Sequence, residues 1–170
     1  MFILYSSNTG HTEQYARLLS DELDLPAYNL KDAPPVLAGG DAIYLGWLMA
    51  GLVVGYSKAA RRYNVKCVVG VGMSPESDEQ TDSVAGKTKA AGVPVFYLQG
   101  GYDFNKLTGI YKLMMKVKTP DILKNFKDMS ESEKEANAVY RMITRGDSVV
   151  SKERIAPIAA WYRESADRGI

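Results

Sequence analysis

Residues 5–13, Tyr-Ser-Ser-Asn-Thr-Gly-His-Thr-Glu (YSSNTGHTE), place hydroxyl, amide and glycine residues between two segments with different hydrophobic patterns. The preceding segment, 1–5, is uninterrupted and apolar, which is typical of a buried strand in a parallel sheet. The following segment, 13–23, repeats its apolar residues three and four positions apart, which predicts an amphipathic helix. A strand-to-helix turn offers free backbone N–H groups at the positive end of the helix dipole. We therefore expect this loop to bind an anion, and specifically a phosphate.

The composition of the 170-residue chain indicates one globular domain over residues 1–170. Hydrophobic residues make up 46% of the sequence, which is enough for a proper core. The chain has one cysteine, Cys67, and one histidine, His11, so we expect neither a disulfide framework nor a zinc site of clustered Cys and His. The net charge of +1 argues against a nucleic-acid-binding surface, and also against the strongly acidic surface of many small electron carriers.

The sequence begins with an apolar strand pattern and no basic segment, so we expect no signal peptide and a cytoplasmic location. The uncharged run 42–57 resembles a membrane-spanning segment in its composition. It is too short, because a spanning helix needs about twenty apolar residues. Three glycines, at positions 46, 51 and 55, interrupt it further. We interpret this run as a buried strand, a tight apolar loop and the start of a helix.

Strand and helix patterns alternate along the first two thirds of the chain. Strands are predicted at 1–5, 26–30, 41–47, 67–72 and 94–98, and helices at 13–23, at 52–63 and from 77–79 to a stop at 90–92. This alternation predicts an α/β fold with a five-stranded parallel sheet and helices on both faces. Ligands of such sheets bind at the carboxyl ends of the strands.

A helical extension is predicted after the fifth strand, over about 101–170. Its helices are expected near 106–118, 131–145 and 151–167. The second should begin with a capping box of Ser130 and Glu133 and end at Gly146.

Two other phosphate or nucleotide motifs are incomplete. The triplet Gly86-Lys87-Thr88 has Thr81 where a Walker loop needs glycine, and it falls inside a predicted helix. The pair Gly70 and Gly72 is followed by Pro75 where a dinucleotide fingerprint needs its third glycine. The first loop is therefore the best candidate for a phosphate site.

That loop closely resembles the phosphate-binding loop of flavodoxins, which has a hydroxyl residue, any residue, Thr-Gly, any residue and Thr between the first strand and helix. The resemblance extends over most of the chain through strand order and loop placement, and it implies a flavodoxin-like three-layer fold with bound FMN. By this match the side chains of Ser7, Thr9 and Thr12 hold the FMN phosphate, with no arginine or lysine. The resemblance also implies that Asn8 contributes and that Gly10 lets the backbone approach closely. His11 stands where the family often has asparagine.

Three further loops are expected to meet the cofactor. Trp47 occupies the position where flavodoxins place an aromatic residue against the isoalloxazine ring, although a tryptophan there can also simply close the core. After the fourth strand the family commonly has a second aromatic residue, whereas this chain has Met73-Ser74-Pro75. The full set of expected FMN contacts is Ser6, Ser7, Asn8, Thr9, Gly10, His11 and Thr12; Trp47, Leu48, Met49, Ala50 and Gly51; Gly72, Met73 and Ser74; and Gly100, Gly101 and Tyr102.

The segment after the fifth strand is similar to the insertion of flavodoxin-type, menaquinone-dependent protoporphyrinogen IX dehydrogenases. The similarity rests on Gly100-Gly101-Tyr102-Asp103-Phe104 and on Leu113-Met114-Met115-Lys116. It implies an FMN-dependent, quinone-linked oxidoreductase of heme biosynthesis with a porphyrinogen substrate. A single-electron carrier between partner proteins and a flavin-free interaction module remain alternatives.

The predicted helix 106–118 is amphipathic and basic. Its expected apolar face contains Leu107, Ile110, Tyr111, Met114 and Met115, with Lys112 and Lys116 pointing away. Such a face can belong to the core, line an apolar substrate pocket, or lie at an anionic membrane surface. The last alternative would make the protein peripheral to the inner face of a membrane.

The charge pattern around the expected ring site bears on redox behaviour. Residues 42–80 contain Lys58, Arg61, Arg62 and Lys66 but no carboxylate before Glu76. Unit charges about 8 Å apart interact by about 2 kcal/mol at an effective dielectric near 20, before salt screening. We therefore expect the anionic reduced flavin to be less disfavoured than in acidic flavodoxins, with two-electron delivery to a quinone.

Overall fold

In a computed structural model of the chain, which describes residues 1–90 and 92–168, a parallel sheet forms the centre of the molecule. The strands are β1 (Phe2–Ser6), β2 (Ala27–Asn29), β3 (Asp41–Met49), β4 (Leu52–Val53), β5 (Asn64–Gly72) and β6 (Val95–Gln99). Five of them are parallel in the order β2-β1-β3-β5-β6, and β4 pairs antiparallel with the end of β3. The predicted α/β class and five-stranded parallel sheet are confirmed, and the order is that of a flavodoxin-like fold.

Seven α-helices flank and extend the sheet in the described part of the chain. They are α1 (His11–Leu23), α2 (Tyr56–Ala60), α3 (Asp78–Thr88), α4 (Gly109–Lys124), α5 (Glu131–Ala136), α6 (Ala138–Arg145) and α7 (Ala156–Asp167). The Walker-like triplet 86–88 lies inside α3, as the sequence predicted. Of the helix stop expected at 90–92, Ala91 lies outside the described residues.

The two faces of the sheet have separate cores. On one face, Tyr15 and Leu19 of α1 and Ile158 of α7 pack on buried strand residues such as Ile43 and Val69. On the other face, α2 and α3 cover the sheet, with Ala59 and Val84 fully buried. Strands covered on both sides explain the continuous apolar runs of β3 and β5. This arrangement is the three-layer architecture expected from the sequence.

The helical extension has a smaller cluster of its own. Buried Tyr102, Leu107, Met142 and Ile143 form its centre, and side chains of α4 and α6 pack around them. The capping box of Ser130 and Glu133 is present at the start of α5.

Two predicted helices have different bounds in the structure. The helix expected at 52–63 is replaced by β4 and the short α2, because Ala50 and Gly51 both adopt positive φ (52° and 82°) and turn the chain into a hairpin with β3. The helix expected at 131–145 is interrupted at Asn137, whose side chain accepts hydrogen bonds from Val139 N and Tyr140 N and so caps α6.

The prediction of the bounds and apolar face of helix 106–118 is also wrong in part. The α-helix begins later, at Gly109, and runs to Lys124. Tyr111 and Met115 pack inward, but Ile110 and Met114 are exposed at 67% and 43%. The rotation of α4 about its own axis therefore divides its apolar residues between an inner and an outer face.

Within residues 1–90 and 92–168, no helix is both long enough and apolar enough to cross a membrane. The same residues contain no cluster of His, Cys, Asp and Glu side chains that could hold a metal ion.

Candidate functional site

The loop between β1 and α1 turns at Gly10, which has φ +95°. Gly10 N donates a hydrogen bond to Ser7 Oγ at 3.1 Å, so one of the expected hydroxyls also shapes the loop. The first helical bond runs from Gln14 N to Gly10 O at 3.0 Å. The N–H groups of residues 11–13 therefore have no partner within α1, and they lie at the positive end of its dipole. An anion is the group that this arrangement suits.

Two buried polar atoms beside this loop lack hydrogen-bond partners among the described residues. They are Asn8 Nδ2 and the hydroxyl of Tyr102, and both residues line the same cavity. Buried donors are nearly always satisfied in folded proteins, because an unpaired one costs about 1–3 kcal/mol. Asn8 therefore carries an unsatisfied donor at the first loop, whereas the hydroxyl of Tyr102 lies towards the side chain of Thr119.

His11 is buried and faces the loop after β6. A Cβ atom placed on Gly101 would lie 2.6 Å from His11 Cε1, so the imidazole packs directly on that backbone. Neither ring nitrogen has a partner among the described residues. Burial, followed by the charge of Lys106, lowers the pKa of His11 below its ordinary value. The ring is accordingly neutral at neutral pH, and it packs against the loop after β6 rather than lining the cavity.

A cavity of about 380 Å³ lies at the carboxyl edge of the sheet, next to the first loop. This volume falls within the range of about 300–1,000 Å³ that is usual for small-molecule sites. The loops that follow β1, β3, β5 and β6 all contribute to it. Its lining residues are Asn8, Thr9, Trp47, Leu48, Met49, Ala50, Gly51, Val71, Gly72, Met73, Ser74, Gln80, Tyr97, Gly101, Tyr102, Leu107, Tyr111, Met114, Met115 and Lys118.

Aromatic and apolar side chains dominate the part of the cavity away from the first loop. Trp47 is half-buried at the end of β3, and its indole meets the ring of Tyr111 edge to face, with centroids 4.9 Å apart. Tyr111 belongs to α4, as do Met114 and Met115, so this helix supplies one wall. A cavity of this kind suits a planar aromatic group.

Side chains from β6 hold the loop after β5 in place. The hydroxyl of Tyr97 donates to Ser74 O at 2.8 Å, and Gln99 Nε2 donates to Met73 O at 2.8 Å. Gln99 N in turn donates to Glu76 Oε1 at 2.9 Å, and Glu76 pairs with Arg154 at 2.7 Å. Met73 and Ser74, which replace the expected second aromatic contact, are thus fixed at the cavity wall.

Three of the four cations on which the charge-based prediction rests, Arg61, Arg62 and Lys66, lie at the edge of the sheet opposite to the cavity. Arg62 O accepts a hydrogen bond from Gly39 N, just before β3 begins, and α2 leads to that same edge. Lys66 precedes Gly72 by six positions in β5, which separates their Cα atoms by about 20 Å. Charges at that separation are largely screened at physiological ionic strength. Arg61, Arg62 and Lys66 therefore cannot supply the charge effect that the sequence-based prediction assigned to them.

Other lysines take their place beside the cavity. Lys118 of α4 is the one charged residue in the cavity lining. The side chain of Lys87 lies against Gly51, where an added Cβ would come within 2.8 Å of Lys87 Nζ. No carboxylate belongs to the lining among the described residues. The site thus carries positive charge, but from α3 and α4.

The expected FMN contacts divide into two groups. Those in the cavity lining are Asn8, Thr9, Trp47, Leu48, Met49, Ala50, Gly51, Gly72, Met73, Ser74, Gly101 and Tyr102. Ser6, Ser7, Gly10, His11, Thr12 and Gly100 lie outside it: Ser6 pairs with Gly46 in the sheet, Thr12 is buried in α1, and Gly10 shapes the turn.

Sequence reasoning did not assign Val71, Gln80, Tyr97 or Lys118 to the site. Leu107, Tyr111, Met114 and Met115 were predicted as part of a helix face for which a substrate pocket was one of three alternatives. Gln80, Tyr97 and Lys118 reach the cavity through the packing of α3, β6 and α4, and Val71 reaches it from the end of β5.

No protein-family model and no curated protein matches this chain.

Proposed function

We propose that this chain binds FMN and works as a flavodoxin-like oxidoreductase. The observation that carries the proposal is the convergence of four strand-end loops on one cavity, with a helix N-terminus at one end and aromatic side chains at the other. In a sheet of this strand order, the crevice beside β1 and β3 is where a ligand is expected.

The phosphate of FMN would lie at the first loop. The backbone N–H groups of residues 11–13 are available there, and the left-handed turn at Gly10 exposes them. Asn8 Nδ2 would find a partner in the ligand. Neutral donors suffice for such a site because the helix dipole favours the anion.

The isoalloxazine ring would lie among Trp47, Tyr111 and the loop of residues 49–51. When bound, the flavin would supply the redox chemistry, taking two electrons from an organic donor and passing them to an acceptor such as a quinone. The chain's own residues bind and orient the ring, exclude water with Tyr111 and Met115, and place Lys118 close to it. A nearby cation favours the anionic reduced form of the ring, which is the state that two-electron delivery requires.

A quinone or a porphyrinogen is the proposed class of reaction partner. The support is the apolar character of the lining beside α4, where Leu107, Tyr111, Met114 and Met115 lie together. Flat, largely apolar molecules are the partners that such a wall suits.

The test is anaerobic reduction of the purified, FMN-loaded protein followed by a screen of quinones and porphyrinogens. We expect reduced protein to be reoxidised by a quinone in one two-electron step, and a porphyrinogen to reduce the oxidised protein. The proposal would be replaced by the carrier function if no quinone or other organic acceptor reoxidised the reduced protein and a redox protein exchanged single electrons with it rapidly.

A further inference from the structure

The outer face of α4 carries an apolar stripe that faces solvent. Ile110, Leu113, Met114 and Val117 recur at helical spacing, and they are exposed at 67%, 63%, 43% and 69%. The other large hydrophobic side chains with high exposure in the described chain are single residues of other elements, Val36 before β3 and Leu52 in β4. An apolar patch concentrated on one helix marks a surface that contacts something other than water.

The segment around this stripe has a strong charge of its own. Residues 106–127 contain six lysines and one aspartate, a net charge of +5. The rest of the chain has fifteen Lys and Arg against nineteen Asp and Glu, a net charge of −4. The overall net charge of +1 is therefore the sum of a basic segment, 106–127, and an acidic remainder of the chain.

Lysines stand on both sides of the stripe. Lys118 lines the ring cavity on one flank of α4, and Lys116 lines a second cavity, of about 370 Å³, on the other flank. Both side chains are exposed. Long lysine side chains beside an apolar stripe can extend their ammonium groups to a surrounding layer of anions while the stripe enters an apolar phase.

We propose that the outer face of α4 docks on an anionic lipid bilayer, with Leu113 and Val117 entering the acyl boundary and the lysines meeting the headgroups. A second copy of the chain is a poorer occupant, because pairing of two α4 faces would bring two sets of lysines together. The positive charge favours an anionic surface, and the apolar stripe has a counterpart in the acyl chains beneath it.

This docking would place the mouth of the ring cavity at the bilayer. Met114 belongs both to the exposed stripe and to the cavity lining. An apolar molecule dissolved in the bilayer would then reach the cavity without crossing water. The inference concerns the surface of α4 and does not depend on the proposed cofactor.

The experiment is co-sedimentation of the full-length purified protein with two kinds of vesicle, one of phosphatidylcholine and one with an equal share of phosphatidylglycerol. We expect binding to the anionic vesicles that weakens as salt is raised, and little binding to the neutral ones. The double variant Lys116→Gln/Lys118→Gln should lower partitioning about 25-fold, since each lysine contributes about fivefold. The double variant Leu113→Ser/Val117→Ser should lower it at least about tenfold.

Matched variants elsewhere on the surface serve as controls. Arg61→Gln/Arg62→Gln removes the same charge from the edge of the sheet where β3 begins, since Arg62 O accepts a hydrogen bond from Gly39 N, and Val36→Ser removes a side chain that is 87% exposed. Both should bind anionic vesicles within about twofold of the unmodified protein, because neither change touches the α4 surface.

Three results would overturn the inference. The first is equal binding to neutral and anionic vesicles, or binding to neither. The second is an equal loss in the control variants. The third is a dimer in solution that Leu113→Ser/Val117→Ser dissociates, which would make the stripe an interface between copies of the chain. Circular dichroism of that variant should match the unmodified protein, since both side chains are exposed.

Discussion

Replacement of Gly10 by valine is the most informative change at the proposed phosphate loop. Gly10 has φ +95°, a conformation that a β-branched residue avoids, and a side chain there would meet nothing within 4 Å. Crowding is therefore absent in the protein alone, and the cost is one of backbone conformation, about 1–3 kcal/mol. If the free loop relaxes to another conformation, FMN binding must force it back into the strained one, and FMN affinity falls about 5- to 150-fold. If the loop keeps its shape, the valine methyl groups stand in the open space next to the N–H donors and obstruct the phosphate.

Gly39 provides the matched control. It also has positive φ, +79°, and open space around it, but it lies at the opposite edge of the sheet. Gly39→Val should lower the melting temperature by roughly 5 °C, since 1 kcal/mol corresponds to about 2–4 °C in a domain of this size, and should leave FMN affinity unchanged.

In the assay, each apoprotein is titrated with FMN and binding is measured by the quenching of flavin fluorescence. Thermal unfolding of each variant is measured alongside. Unchanged FMN affinity in Gly10→Val would refute the assignment of the phosphate to this loop, whichever way the loop responds. A similar loss in Gly39→Val would show that the effect comes from general destabilisation.

Three other predictions concern the ring, the charge and the histidine. Indole fluorescence should be strongly quenched when FMN binds. The quenching should disappear in Trp47→Phe but persist in Trp161→Phe, because Trp161 packs on Phe96 away from the cavity. Quenching that persists in Trp47→Phe would show that Trp47 does not contact the ring. Lys118→Gln should make the second reduction potential of bound flavin about 30–60 mV more negative. An unscreened charge at about 8 Å would shift it by roughly 90 mV, and exposure to solvent reduces that shift. An equal shift in Lys66→Gln, whose charge lies at the other end of β5, would contradict a local effect. Because burial lowers the pKa of His11 from its ordinary 6.5, the unfolded chain binds the proton more readily, so the free energy of unfolding should be highest above pH 6.5 and fall as the pH drops below it. Urea unfolding of His11→Asn should show a smaller loss between pH 7 and 5, and an equal loss would assign the effect to other groups.

Local sequence features were sufficient for the sheet and for much of the cavity. Strands buried on both faces must be continuously apolar, and the residues that follow them must meet at one edge of a parallel sheet. The contributions of Asn8, Trp47, Met73 and Tyr102 to the cavity lining follow from that rule alone. The rule does not require knowledge of how the helices pack.

The hairpin after β3 could not be predicted in the same way. Its turn needs positive φ at both central residues, and one of them is Ala50, a residue type that rarely adopts it. The segment 52–63 also has apolar spacing compatible with a helix. Pairing of Leu52 with Met49 in the sheet is a tertiary interaction that overrides this local preference.

The division of α4 into an inner and an outer face could not be predicted for a related reason. Helical spacing shows that a face exists, but the rotation of the helix decides which residues turn inward. The structure turns Tyr111 and Met115 inward and leaves Ile110 and Leu113 in solvent. The same rotation brings Lys118 to the cavity. Lys66 is remote from the cavity because it lies near the amino end of β5, whereas the cavity lies at the carboxyl end.

The most direct test of FMN binding compares FMN with riboflavin, which has the same ring but no phosphate. Titration of the apoprotein should saturate at one FMN per chain, and riboflavin should bind at least about a hundredfold more weakly, because each charge-assisted hydrogen bond to the phosphate contributes about 1.5–3 kcal/mol. Failure of FMN to bind, or equal affinity for the two flavins, would contradict the account of this site.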